Sequence, residues 1–111
     1  MTLMFCAFSG SPLIMRVYGQ ARAIHHNDAD WATSYARFAP IAGARQVFEL
    51  TIDLVQTSCG QAVPNYDYRG DRQQQRIWLE KLGPDGIRQY WRTTNQSSID
   101  GIPTGIVDKN L

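Results

Sequence analysis

The stretch from Arg45 to Pro64, RQVFELTIDLVQTSCGQAVP, limits this chain more than any other. Phe48, Leu50, Ile52 and Leu54 alternate with Glu49, Thr51 and Asp53. That period of two belongs to a strand with one face against a core. The alternation ends at Ser58-Cys59-Gly60 and the segment stops at Pro64. A rigid element therefore hands over to a small-residue loop, the kind of place where a ligand can approach.

The segments before it fit the same architecture. Thr2 to Phe8 is short and apolar and runs into Ser9-Gly10-Ser11-Pro12, so a strand and a hairpin turn are expected. Leu13 to His25 alternates Leu13, Met15, Val17, Ala21 and Ala23 against Arg16, Tyr18, Gln20 and Arg22. Gly19 interrupts it, and a strand glycine marks a bulge, a bend or a close backbone approach. Asn27 to Asp30 offers an N-cap for a short helix with Trp31, Tyr35 and Phe38 at i, i+4 and i+7, closed by Pro40.

Beyond Pro64 the character changes. Asn65 to Gly70 is turn-like, and Asp71 with Gln74 has the spacing of a capping box, which predicts a helix carrying Trp78, Leu79 and Leu82. Gly83-Pro84 should stop it. Asp85 can then cap a second helix with Ile87, Tyr90, Trp91 and Thr94 on one face, giving a helical hairpin. From Asn95 on, an irregular tail with disordered last residues is expected.

Composition excludes more than it identifies. A length of 111 residues suits one domain, and a net charge of +1 provides no global field to collect nucleic acid or an anionic membrane. Cys6 and Cys59 are far apart in sequence and form no zinc-type motif, so they read as free thiols of a cytoplasmic protein. The three strands cannot close a barrel, and the first lacks a neighbour on its outer edge. The remaining strands are expected from another chain or from sequence upstream of Met1.

Taken together, TLMFCAF, PLIMRVYGQARAI, VQTSCGQAVPNYDYRGDR, Trp78 with LEKLG, and NQSSIDGIPTG resemble the pyridoxamine 5′-phosphate oxidase-like family of FMN-binding split barrels. The resemblance implies an α+β chain with a mainly-β core. Residues 1–64 would be a partial split β-barrel with one inserted helix, and 65–111 a C-terminal helical hairpin and tail, within a single domain. It also implies a homodimer with FMN held at the subunit interface, and flavin chemistry on a small molecule. The family's phosphate-binding residues lie largely on strands preceding the Thr2 segment. What this chain can contribute to the cofactor site is Arg16, Tyr18, Ser58 and Cys59. Ile14 stands where true pyridoxamine phosphate oxidases carry Gln, and their C-terminal Trp and Arg substrate motif has no counterpart, which argues against vitamin B6 synthesis. The alternative is a non-catalytic split-barrel domain that has lost its cofactor. Haem or a deazaflavin in the same cleft is a third possibility.

Other candidates have plainer readings. Cys59 could be a reactive thiolate or a small half-buried gap filler, and Cys6 belongs to the core. His25-His26 with Asp28 and Asp30 has metal-ligand residue types, but neighbours on a strand face opposite ways and a solvated turn fits better; no metal site is expected. Arg69, Arg72 and Arg76 could meet a phosphate or form a solvent-facing stripe. Arg16 could bind an anion or pair with Glu49 or Asp53. Trp31, Trp78 and Trp91 read as packing anchors.

Overall fold

A computed structural model describes residues 1–111. Three strands, β1 (Thr2–Cys6), β2 (Leu13–His25) and β3 (Gln46–Cys59), form one sheet in the order β1-β2-β3. Three helices complete the chain: α1 (Trp31–Tyr35), α2 (Gln74–Thr94) and α3 (Ile106–Asn110). The class is α+β, and the sheet is open rather than closed into a barrel.

The chain divides into two compact units, residues 1–22 with 48–71 and residues 23–47 with 72–111. In the first, β1 and β2 pair antiparallel with Thr2 opposite Tyr18, Met4 opposite Arg16 and Cys6 opposite Ile14. Facing residues share a side of the sheet, so Leu3 and Phe5 stand with Val17 and Met15, and Met4 and Cys6 stand with Arg16 and Ile14. The Ser9–Pro12 segment makes the expected turn, with Ala7 N–H donating to the Leu13 carbonyl at 2.9 Å. Gly19 shows why the strand tolerates no side chain there, because an added Cβ would overlap the Thr51 carbonyl oxygen.

The alternating strand does not cover a core within this chain. Phe48, Ile52 and Leu54 remain 55%, 57% and 57% exposed. Periodicity reports which face is meant to be covered, but three strands have nothing to pack on that face.

The core lies in the second unit, where Ile87, Trp91 and Ile106 are buried together with Leu79 and Leu82 against them. Ile24, near the end of β2, is the most deeply buried large side chain at 1% exposure. The expected hairpin is present as a single assigned helix broken at Gly83, whose φ of 66° and ψ of 176° are non-helical. Rings of Trp78 and Tyr90 lie 5.1 Å apart. Twelve residues of continuous helix would separate them by about 18 Å, so the two halves fold back on each other.

Several local expectations are corrected. The α1 helix stops at Tyr35, short of the predicted Phe38, which is exposed. Tyr35 Oη instead accepts from Ile41 N–H at 2.7 Å and donates to the Ile41 carbonyl at 3.2 Å, drawing the chain off the helical path. No Asp71–Gln74 capping box forms; α2 begins at Gln74 without a side-chain cap, and Asp71 receives the Tyr68 hydroxyl at 2.7 Å. The tail ends in the ordered α3, whose Ile106 and Asn110 are buried. Asn110 holds that turn, its Nδ2 donating to the Ile106 carbonyl at 2.9 Å and its Oδ1 accepting from His26 N–H at 3.1 Å. Isoleucines scattered among turn residues carry no helical period, so only the Ile106 anchor marks this end in advance.

Trp91→Ala removes the largest side chain of this core and should lower stability by about 3–5 kcal/mol, read from urea denaturation. Gly19→Ala should cost about 1–3 kcal/mol in the same assay through backbone overlap at Thr51.

Candidate functional site

Arg16, Tyr18 and Ser58 of the sequence-predicted site come together on the sheet of the first unit, whereas Cys59, the strand neighbour of Ser58, faces the other side. Arg16 and Tyr18, two apart on β2, project from the same face. The antiparallel neighbour β3 brings Ser58 and Gln56 beside them. Arg16 Nη1 donates to Ser58 Oγ at 3.2 Å, and Tyr18 Oη donates to Gln56 Oε1 at 3.1 Å. The result is a polar strip on a largely apolar sheet. The predicted alternatives for Arg16 do not form, since Glu49 pairs with Arg22 Nη2 at 2.6 Å. Arg16 is left partly buried with a hydroxyl as its protein partner and no carboxylate to neutralise it. A guanidinium so placed favours an anion, and with the Ser58 hydroxyl beside it the donor set suits a phosphate or carboxylate group.

Cys59 is a free, exposed thiol at the end of β3, while Cys6 on β1 is half-buried rather than fully in a core. Gly60 follows, and a Cβ there would lie 2.7 Å from the Leu13 amide nitrogen, so the backbone of this loop runs tight against the start of β2. Close approach fixes where Ser58 and Cys59 stand. A shallow cavity of about 660 Å³ in the same unit is lined by Cys6, Phe8, Tyr66, Tyr68 and Arg69. Phe8 and Tyr66 meet edge to face at 5.3 Å. The hydrogen bond to Asp71, then lost hydration and the Asp71 charge, raise the Tyr68 phenol above its ordinary 10.0. Tyr68 is thus neutral at pH 7, and the stabilisation from that bond is lost only as pH rises through the raised value.

The remaining candidates take structural roles. His25 N–H donates to Asp28 Oδ2 at 2.7 Å, closing the turn after β2, and His26 Nε2 lies 2.7 Å from the Ala44 carbonyl. Arg76 pairs with Glu80 at 3.8 Å along α2. Trp91 is buried in the core, Trp78 packs on Tyr90, and Trp31 stacks on Tyr35 with ring centres 5.0 Å apart. Sequence reasoning did not anticipate that His26 joins Trp31 at 4.2 Å, or that Gln56 completes the polar strip. The first rests on a long-range meeting. The second was legible, because Gln56 and Ser58 share the parity of one strand face.

The chain is 33% identical over 117 aligned positions to a protein described as pyridoxamine 5′-phosphate oxidase family protein ustO, from Aspergillus flavus. The match covers 92% of this chain and 47% of the relative, so the chain spans about half the length of the curated relative it matches. No protein-family profile and no solved structure matches it. No helix is long and apolar enough to cross a membrane.

Exposure makes Cys59 the faster thiol: with a colorimetric disulfide reagent it should react first, Cys6 should lag, and Cys59→Ser should remove the fast phase. In an ultraviolet tyrosinate titration, Asp71→Asn should bring Tyr68 back toward 10.0.

Proposed function

We propose that this chain belongs to the pyridoxamine 5′-phosphate oxidase-like family and binds FMN as a flavin-dependent oxidoreductase acting on a small molecule. Three findings support the reading. The similarity to the Aspergillus flavus protein extends over most of this chain. Arg16 and Ser58 form an anion-ready donor pair, and Tyr18 lies on the same face of β2 as Arg16. The apolar sheet left open by Phe48, Ile52 and Leu54 is what an incomplete split barrel would expose, and a second copy is the proposed cover, as a homodimer.

The observation that carries the proposal is the uncompensated guanidinium of Arg16. Partial burial removes some of its hydration, and the Ser58 hydroxyl replaces only one of its five donor bonds. A dianionic phosphate meets both shortfalls at once. When bound, FMN supplies hydride or electron transfer at its ring, and the protein's task is to orient it and set its electrostatics. In this reading Arg16 and Ser58 hold the phosphate, Tyr18 is held by Gln56 along the same strip, and the tight Gly60 turn fixes the position of Cys59.

The purified protein should bind FMN with flavin-type absorbance and a raised melting temperature. Arg16→Ala should weaken binding by about tenfold to a hundredfold, the worth of roughly 1.5–3 kcal/mol for a charged hydrogen bond. Unchanged FMN affinity in Arg16→Ala would remove this residue from the site. A folded protein without any flavin affinity would instead favour the non-catalytic split-barrel reading.

A further inference from the structure

The second unit contains a cavity of about 470 Å³ that the flavin reading does not use. One wall is an aromatic ladder: Trp31 stacks on Tyr35 with planes 12° apart, and His26 lies 4.2 Å from Trp31 at a tilt of 52°. His26 also meets Trp91 edge to face at 5.7 Å. A further boundary is a strap, residues 41–44, held by the polar ends of two of those rings. Tyr35 Oη bonds both the amide and the carbonyl of Ile41, and His26 Nε2 reaches the Ala44 carbonyl at 2.7 Å. Leu79 and Ile87 of α2 supply apolar floor.

Its chemistry follows from the hydrogen bonds already made. A carbonyl oxygen only accepts, so His26 Nε2 carries the proton and Nδ1 is an acceptor. Nδ1 has no protein partner and is not enclosed, which leaves it open to a ligand. The two charged residues on the lining are already paired with residues off it: Arg88 with Asp85 at 3.3 Å, and Glu80 with Arg76 at 3.8 Å. Neither of these side chains offers the chamber an unpaired charge. Its volume lies within the range of small-molecule sites, roughly 300–1,000 Å³, and its ring edges and faces suit edge-to-face or offset aromatic contact.

We propose that this cavity binds a small, uncharged planar aromatic molecule that donates a hydrogen bond to His26 Nδ1. The site lies wholly within residues 23–47 and 72–111, whereas Arg16, Tyr18, Ser58 and Cys59 belong to the other unit. It therefore stands or falls separately from FMN binding.

Indole is the probe, titrated into the isotope-labelled full chain and followed by amide and indole N–H shifts in nuclear magnetic resonance. Saturable shifts at Trp31, Trp91 and residues 41–44 are expected with Kd of about 10⁻⁴ to 10⁻³ M, typical of a ligand this small. Loss of the donor in 1-methylindole should weaken binding about threefold to tenfold. Indole-3-carboxylate should bind no better than indole. Ala42→Trp should fill the chamber and abolish the shifts. If that variant does not fold, Overhauser contacts from bound indole to Trp31 and Ile41 in the wild-type chain provide the independent check. Absence of saturation up to roughly 5 mM, equal binding of 1-methylindole, tighter binding of the carboxylate, or Overhauser contacts elsewhere would each overturn the proposal.

Discussion

Strand β2 is the element on which the rest depends. It is the middle strand of the sheet, so its backbone must satisfy hydrogen bonds to β1 on one edge and β3 on the other. Gly19 and Gly60 permit this pairing at close range, one against Thr51 and the other against Leu13. Along its length the strand carries Arg16 and Tyr18 of the candidate cofactor strip, and it ends in Ala23, Ile24 and His25, which belong to the helical unit. Its antiparallel pairing with β3 is what places Ser58 against Arg16 from 42 residues away. No local preference could do so.

The two units solve the burial problem differently. The helical unit folds α2 back at Gly83 so that Leu79, Leu82, Ile87 and Trp91 meet, and α3 adds Ile106. That is a small but coherent core. The sheet unit keeps Val17 as its buried large hydrophobic residue and leaves Leu3, Met4, Phe5, Phe48, Ile52 and Leu54 in contact with water. Exposed apolar area of this extent is the signature of a surface that packs on something else. The polar strip lies on the face that carries Met4 and Ile14, which makes a charged side chain there more consequential than one on a solvated face.

Elements with a strong period were legible before the structure: all three strands, the turn at Ser9–Pro12, and the helical break at Gly83-Pro84 follow from alternation and from Gly and Pro chemistry. Boundaries set by competing side-chain bonds were not. Phe38 has helical spacing from Trp31 and Tyr35, yet the Tyr35 hydroxyl prefers Ile41; Asp71 has capping spacing, yet it takes Tyr68. The parity of β2 put Arg16 and Tyr18 on one face, but which of Glu49, Asp53 or Ser58 would meet Arg16 depends on strand register, which periodicity leaves open. The His26–Trp31 contact and the strap over it were equally invisible, because they require β2, α1 and the 41–44 segment to meet.

The central claim is that the Arg16–Ser58 pair is an anion site for the FMN phosphate. Backbone hydrogen exchange with and without saturating FMN addresses it most directly, because it locates a ligand without needing activity. Slowed exchange is expected at residues 14–18 of β2 and at residues 56–60, from the end of β3 into the loop that follows. Exchange unchanged there, or slowed only in residues 72–111, would contradict it.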